Sequence, residues 1–193
     1  MLDAFLEEIR KEFPTFRIVY KDRDRLSRAI DLGLRALTFG RMTEYQTHYH
    51  TVIGNTLYVP RCWDETPDVD RVITLRHERV HLRQRRRLTL PLMAFLYFIP
   101  FLPLGLAWGR ARIEWEAYAE TLRATAELKG IEAAHSDHLR HELTRRFTSA
   151  DYGWMWPFPR QVQSWIDREL EAIDRAQTAP GSMSRSETLA EQA

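Results

Sequence analysis

The sequence contains few of the residues on which several common classes of protein depend. Its 193 residues include one cysteine, Cys62, which excludes an intrachain disulfide framework and a zinc finger built on cysteines. Lysine occurs only at positions 11, 21 and 129, so arginine carries nearly all of the positive charge. Because the net charge is only +1, the chain lacks the basic excess typical of nucleic-acid-binding proteins, and we expect no nucleic-acid partner.

Phosphate-binding loops, nucleophile elbows and export signals are also missing from the sequence. It contains neither a glycine-rich phosphate loop nor a Gly-x-Ser-x-Gly segment. Residues 1–13 mix charged and apolar side chains and lack the apolar core of a secretory signal. We therefore expect a cytoplasmic protein, and the preference for arginine over lysine indicates a GC-rich, bacterial genome.

The hydrophobic pattern predicts a mixture of helices and short strands. Apolar residues make up 44% of the chain and charged residues 28%, which is ordinary for a globular protein. Helices are predicted before Pro14 and at 23–39, 66–87, 109–128, 132–146 and 159–176; strands are predicted at 16–20, 45–53 and 56–59. The expected fold class is α+β, with a small antiparallel sheet and about six helices. We expect a single domain over 1–176, followed by a disordered tail over 177–193.

The helix predicted over 66–87 contains His77-Glu78-Arg79-Val80-His81, an H-E-x-x-H (HExxH) pattern. Residues four positions apart lie on the same helix face, so two imidazoles so placed are able to bind one zinc ion. Glu78 stands beside them to take a proton from a bound water. Upstream, Thr66 is predicted to cap the helix, with Pro67 in the first helical position.

A catalytic zinc site needs one more protein ligand, and the helix over 109–128 offers three glutamates. Glu114 and Glu116 point about 200° apart, so only one of them is able to face the metal. Glu116 and Glu120 share a face, and Ala117 and Ala124 nearby would let the two helices approach closely. We therefore predict Glu116 as the third metal ligand and Glu120 as the second-shell residue that orients a ligating histidine.

The two motifs together resemble the gluzincin metallopeptidases, over roughly residues 45–128. Those enzymes pair a helical H-E-x-x-H with a downstream glutamate, often in E-x-x-x-D, and here the second motif reads Glu116-Ala117-Tyr118-Ala119-Glu120. The scale is similar to that of the minigluzincins, and the layout to membrane-associated gluzincins with an apolar insert. The resemblance implies a zincin-like fold and a zinc-dependent protease (a hydrolase) that cleaves a peptide or protein substrate with Glu78 as general base.

Four features affect how far the resemblance extends. Arg79 places a charge where the motif usually has an uncharged residue, and Glu120 replaces the usual aspartate. The strand over 56–59 is expected at the sheet edge, where it would bind an extended peptide by strand addition. Tyr152, in an aromatic loop, is a possible oxyanion donor, although packing of that loop as a satellite core is the alternative.

An apolar segment, residues 88–108, separates the two motifs and carries no charge. It is long enough for one membrane-spanning helix, but a single span would hold the predicted metal ligands about 30 Å apart. Pro91, Pro100 and Pro103 also break a helix, so we predict a hairpin that turns near 100–103. Arginines on both sides suit anionic lipid headgroups. Peripheral membrane association, packing against the protein's own helices and contact with a second subunit remain as alternatives.

A competing hypothesis is a membrane-associated scaffold or regulatory protein whose metal site is structural or vestigial. The histidines of the motif would then be only partly buried residues of an amphipathic helix. His48 and His50 share a strand face, which predicts either an exposed surface or a second metal-binding site. His135, His138 and His141 recur every three residues, which predicts a solvated helix face or one donor to a reaction intermediate.

Overall fold

The computed structural model describes residues 1–21, 50–88, 107–149 and 155–178. The helix predicted over 23–39, the hairpin arm before residue 50, the apolar hairpin within 88–108, Tyr152 and the predicted tail beyond 178 lie outside the described residues. The chain forms two compact units, Met1–Phe98 and Ile99–Ala193. The single domain over 1–176 stays a prediction.

The described residues of the first unit combine helices with three short strands, so the α+β class is confirmed at this level. Its elements are α1 (Leu2–Glu12), β1 (Arg17–Tyr20), β2 (Thr51–Ile53), β3 (Thr56–Val59), a short 3-10 helix (Arg61–Glu65) and α2 (Asp68–Arg87). The predicted hairpin turn is present between β2 and β3. Gly54 takes a φ of +66° there, a conformation that glycine adopts without strain.

The sheet is mixed rather than antiparallel, which corrects the sequence-based prediction. Its strand order is β1-β3-β2, with β2 antiparallel to β3 and β1 parallel to β3. A tight hairpin forces antiparallel pairing, whereas β1 joins β3 from a distant part of the chain, where no local signal sets the direction. Arg17 stands opposite Thr56, and its Nε donates a hydrogen bond to Thr56 Oγ1 at 2.9 Å.

The position of β3 also corrects the predicted peptide-binding strand. All four residues of β3 are buried, and both of its sides are paired within the sheet. A strand paired on both sides has no backbone groups left for an added peptide. The edges of the sheet are β1 and β2.

Apolar side chains from α1, β3 and α2 share the core of the first unit. Its buried members are Ile9, Phe13, Phe16, Leu57, Val59, Trp63, Leu75 and Leu82. The start of α2 differs from the prediction, because Pro67 occupies the N-cap position and no side chain caps the helix. The Thr66 hydroxyl instead donates to the carbonyl of Cys62 at 3.3 Å.

The second unit is helical in its described residues. It contains α3 (Trp108–Lys129), α4 (Ile131–Ala134), α5 (Asp137–Thr148) and α6 (Pro159–Thr178). Gly130 ends α3 with a φ of +93°. The single helix predicted over 132–146 is broken in two because Ser136 caps α5, accepting a hydrogen bond from the Leu139 amide at 3.3 Å.

The core of the second unit is rich in alanine and aromatic side chains. Its buried members are Ala107, Ala111, Tyr118, Leu122, Ala126, Ala134, Leu143, Phe147, Met155, Val162, Ile166, Leu170 and Ile173. Across the four described ranges, none of the helices combines the length and apolarity needed to cross a membrane.

Candidate metal centre

Two histidines stand one turn apart on α2, as their spacing predicts. The rings of His77 and His81 meet edge to face with 5.0 Å between centroids, and their Nε2 atoms lie 3.2 Å apart. Zinc–nitrogen bonds of about 2.0–2.1 Å in a tetrahedral site hold two nitrogen ligands about 3.3 to 3.4 Å apart. The two Nε2 atoms are therefore spaced nearly as a shared zinc ion requires.

Gln84 orients the second histidine of the pair. Its Oε1 lies 2.9 Å from Nδ1 of His81, and the Gln84 residue is 5% exposed. Because a carbonyl oxygen only accepts hydrogen bonds, this contact favours the tautomer of His81 that carries its proton on Nδ1 and a lone pair on Nε2. A partner of this kind selects the tautomer that binds a metal. Sequence reasoning missed Gln84, although its position three residues after His81 on one helix was an available signal.

Glu78, the predicted general base, is buried in the middle of α2. It is 7% exposed, and it directly follows His77 in the chain. Glutamate is seldom buried unless it is paired or has a specific task, because taking a carboxylate out of water is costly. The general-base role of this buried carboxylate stays a prediction.

The glutamate that the structure groups with the histidines is Glu114, whereas Glu116 as the third metal ligand stays a prediction. Ligand atoms of His77, His81 and Glu114 all lie within 4.8 Å of one another. Glu114 is 8% exposed, whereas Glu116 belongs to the exposed residues of α3. The two side chains point about 200° apart on a helix, so burial of the first leaves the second in solvent.

The alanines that favoured Glu116 do not in fact distinguish the two glutamates. Ala117 and Ala124 are fully buried, as expected of residues that allow close packing. Around the helix they lie about 60° to 80° from Glu114 and about 80° to 100° from Glu116. Small residues therefore marked the buried side of α3 correctly but do not choose between the two glutamates.

Gln84 is the residue that contacts Nδ1 of His81, and the orienting role of Glu120 stays a prediction. Glu120 follows Glu114 by six residues and lies about 120° from it around the helix. Its carboxylate stands 3.7 Å from Nη1 of Arg123. Tyr152 lies outside the described residues, so its role as oxyanion donor stays a prediction.

Arg79, the charged residue inside the motif, points to α1 and not to the histidines. Its Nε donates to Glu12 Oε2 at 2.7 Å, and its guanidinium carbon lies 5.5 Å from the centroid of the Phe5 ring. Arg79 follows His77 by two positions and precedes His81 by two, so its side chain points about 200° away from either histidine around the helix. The unusual charge is thus explained by packing between α1 and α2.

Glu12 of α1 forms ion pairs with two arginines of α2, Arg79 and Arg83. Arg83 donates to it through Nε at 2.7 Å and through Nη2 at 2.9 Å, in addition to the bond from Arg79. The hydrogen bond from Arg83, supported by that from Arg79, lowers the pKa of Glu12 from 4.5 to about 2.

The other histidines of the described chain take no part in the group of metal-ligating side chains. The ring of His50 meets that of Trp63 edge to face at 5.1 Å. His135, His138 and His141 are exposed, as the solvated-face alternative predicts, and Nε2 of His135 lies 3.0 Å from Asp174 Oδ1.

A donor set of two imidazoles and one carboxylate suits zinc chemically. Imidazole nitrogen and carboxylate oxygen are both zinc ligands, and a site with three protein ligands leaves a fourth position for water. Such an open position is typical of catalytic zinc sites, whereas structural sites usually have four protein ligands. The residues present therefore fit a hydrolytic metal centre.

Comparison of the chain with protein-family models, with curated proteins and with solved structures finds no match. The functional argument therefore rests on the residues and their geometry.

Proposed function

We propose that this chain is a zinc-dependent metallopeptidase of the gluzincin type, built on a zincin-like fold. The observation that carries the proposal is the 3.2 Å separation of the His77 and His81 Nε2 atoms, with Glu114 in the same group of potential ligands. Helical H-E-x-x-H motifs with a separate glutamate are typical of zinc peptidases.

Each residue of the group has a distinct proposed role. His77, His81 and Glu114 would hold the metal, and Gln84 would keep His81 in the ligating tautomer. A zinc ion bound there would supply Lewis-acid activation of water. Glu78 would take up a proton on its carboxylate as the water attacks the peptide carbonyl and would pass that proton to the leaving amine.

The substrate proposed for this centre is an extended peptide. Strand β2 is an edge of the sheet and pairs with β3 on one side, and in the described residues no strand lies on its other side. An extended peptide is able to bind such an edge through backbone hydrogen bonds. This moves the proposed substrate strand from β3 to β2.

Cytoplasmic location and membrane association also belong to the proposal. The sequence of residues 88–108 supports a peripheral contact with a membrane or with a second subunit, because it is apolar and flanked by arginines.

The general base is tested by replacing Glu78. The variant Glu78→Gln keeps the shape of the side chain but removes the proton acceptor, so we expect it to bind zinc as the wild type does. We expect its cleavage of an unfolded protein such as casein to fall by about 10²- to 10⁴-fold. The matched control is Glu65→Gln, an exposed glutamate of the same unit, which should cleave as the wild type does.

Each result separates the proposal from its alternative. Full cleavage by Glu78→Gln would show that Glu78 is not the base. Stoichiometric zinc binding without cleavage by the wild type would favour the scaffold or regulatory protein with a structural metal site.

A further inference from the structure

A second site is suggested by a cavity of about 400 Å³ in the first unit, away from the histidine pair. It is lined by Arg85 and Arg86 of α2, by Glu12 and Phe13 near the end of α1, and by Asn55 of the hairpin turn. Leu82, which also lines it, lies about 100° from His81 and about 140° from His77 around α2. The cavity therefore opens on a different face of the helix from the candidate metal centre.

The cavity has an apolar floor. Leu82 is 1% exposed and Phe13 is 3% exposed, and both belong to the core of the unit. The guanidinium carbon of Arg86 lies 5.6 Å from the centroid of the Phe13 ring, so this cation packs against an aromatic ring that lines the cavity. Because the Leu82 and Phe13 side chains are already covered by the core, the groups that this cavity presents to a ligand are chiefly polar and charged.

The two arginines of the lining have no carboxylate partner in the described chain. Arg85 donates through Nη1 to the side-chain oxygen of Asn55 at 3.0 Å, and Arg86 makes its contact with the Phe13 ring. By contrast, Arg79 and Arg83 on the same helix both pair with Glu12. Guanidinium groups bind phosphate and carboxylate through paired N–H donors, so two such groups at one cavity favour an anion.

Glu12 does not cancel this positive charge. Its two oxygens accept hydrogen bonds from Arg79 and Arg83, neither of which lines the cavity. Its negative charge is therefore already compensated by Arg79 and Arg83.

We propose that this cavity binds a phosphate group. The phosphate would bind the guanidinium groups of Arg85 and Arg86. The proposal is independent of the metal centre. The same chemistry occurs in lipid headgroups and in soluble phosphate monoesters, and the experiment distinguishes these two sources.

The test is calorimetric titration of the full chain with octyl phosphate and with inorganic phosphate. We expect both to bind, because each offers the phosphate group that Arg85 and Arg86 would hold. The variants Arg85→Gln and Arg86→Gln should each weaken octyl phosphate binding by about tenfold. Arg87→Gln removes the same charge from the exposed neighbour that does not line the cavity, and it should weaken binding by less than about threefold.

The controls make the result decisive. If Arg87→Gln weakens binding as much as the other two variants, binding follows overall charge and the proposed cavity site is wrong. Failure of octyl phosphate to bind the wild type would also overturn it. If loss of the hydrogen bond from Arg85 to Asn55 lowers the melting temperature of Arg85→Gln, that variant no longer isolates phosphate binding. Arg86→Gln then tests the site, because Arg86 makes no such bond.

Sedimentation with vesicles identifies the source of the phosphate. Binding to phosphatidylcholine vesicles that contain phosphatidylglycerol, lost in Arg86→Gln but kept in Arg87→Gln, would assign the site to a lipid headgroup. Binding of octyl phosphate without binding to these vesicles would assign it to a soluble phosphate ester.

Discussion

The two helices that carry the proposed metal ligands are held in their units by different forces. Helix α2 has six buried residues among its 20, and Arg79 and Arg83 on it form ion pairs with Glu12 of α1. Helix α3 has ten buried residues among its 22, five of them alanine. Ion pairs respond to pH and salt, whereas apolar packing responds to side-chain volume. The two helices should therefore fail under different perturbations.

The largest expected effect lies in the packing around α3. Phe147 is fully buried, and its ring centroid lies 5.5 Å from that of Tyr118 and 6.0 Å from that of Trp165. Phe147→Ala should lower the free energy of unfolding by about 3–5 kcal/mol, because it removes the ring and leaves a cavity. Denaturant titration followed by circular dichroism measures the change. Phe158→Ala, at a position 48% exposed, is the control and should cost less than about 1 kcal/mol. Equal losses in the two variants would contradict the packing account.

A smaller effect is expected when the ion pairs at α2 are removed by acid. The pKa of Glu12 is about 2 in the folded chain, against 4.5 ordinarily, so the unfolded chain takes up this proton first as the pH falls. The stabilisation is present above pH 4.5 and is lost as the pH falls from there toward 2. We expect a loss of about 1–2 kcal/mol, since solvent screens part of the interaction. Urea titrations over this pH range measure it.

Replacement of Glu12 provides the control for this pH dependence. Glu12→Gln should be less stable than the wild type at neutral pH and should lose less further stability in acid. Added salt should narrow the difference between the two at neutral pH. If both proteins lose stability identically below pH 4.5, the Glu12 pairs are not the source of the acid sensitivity.

The smallest effect compares the starts of two helices. Ser136 caps α5 through its hydroxyl, so Ser136→Ala should cost about 1 kcal/mol. Thr66 precedes α2 without capping it, so Thr66→Ala should change the free energy of unfolding by less than about 0.5 kcal/mol. The same denaturant titrations measure both, and a larger loss in Thr66→Ala would restore the cap predicted from the sequence.

The difference between a position set by the geometry of one helix and a position set by packing explains how much of the candidate site was predictable. His77 and His81 lie on one helix, where their relative position follows from the helical repeat alone, and the predicted proximity is confirmed. The third ligand depends on which side of a second helix is buried. The spacing excluded only a site that contains both Glu114 and Glu116, and it is the burial of Glu114 that favours this residue over Glu116.

The fold shows the same limit. The hairpin of β2 and β3 was predictable from Gly54 and Asn55, because a two-residue turn is a local signal. The parallel pairing of β1 with β3 joins residues 39 apart in the chain, as in the Arg17–Thr56 bond, and nothing local encodes it. The break between α4 and α5 had a local signal in Ser136, which the hydrophobic periodicity of the segment obscured.

The most direct test of the proposed function measures zinc in the purified chain and in four single variants. We predict about one zinc per wild-type chain, determined by elemental analysis after dialysis against micromolar zinc. Zinc should be lost in His77→Ala and His81→Ala and greatly reduced in Glu114→Gln, whereas Glu116→Gln, which changes an exposed glutamate two residues away, should retain it. No zinc in the wild type, or its loss in Glu116→Gln but not in Glu114→Gln, would contradict the proposed metal centre.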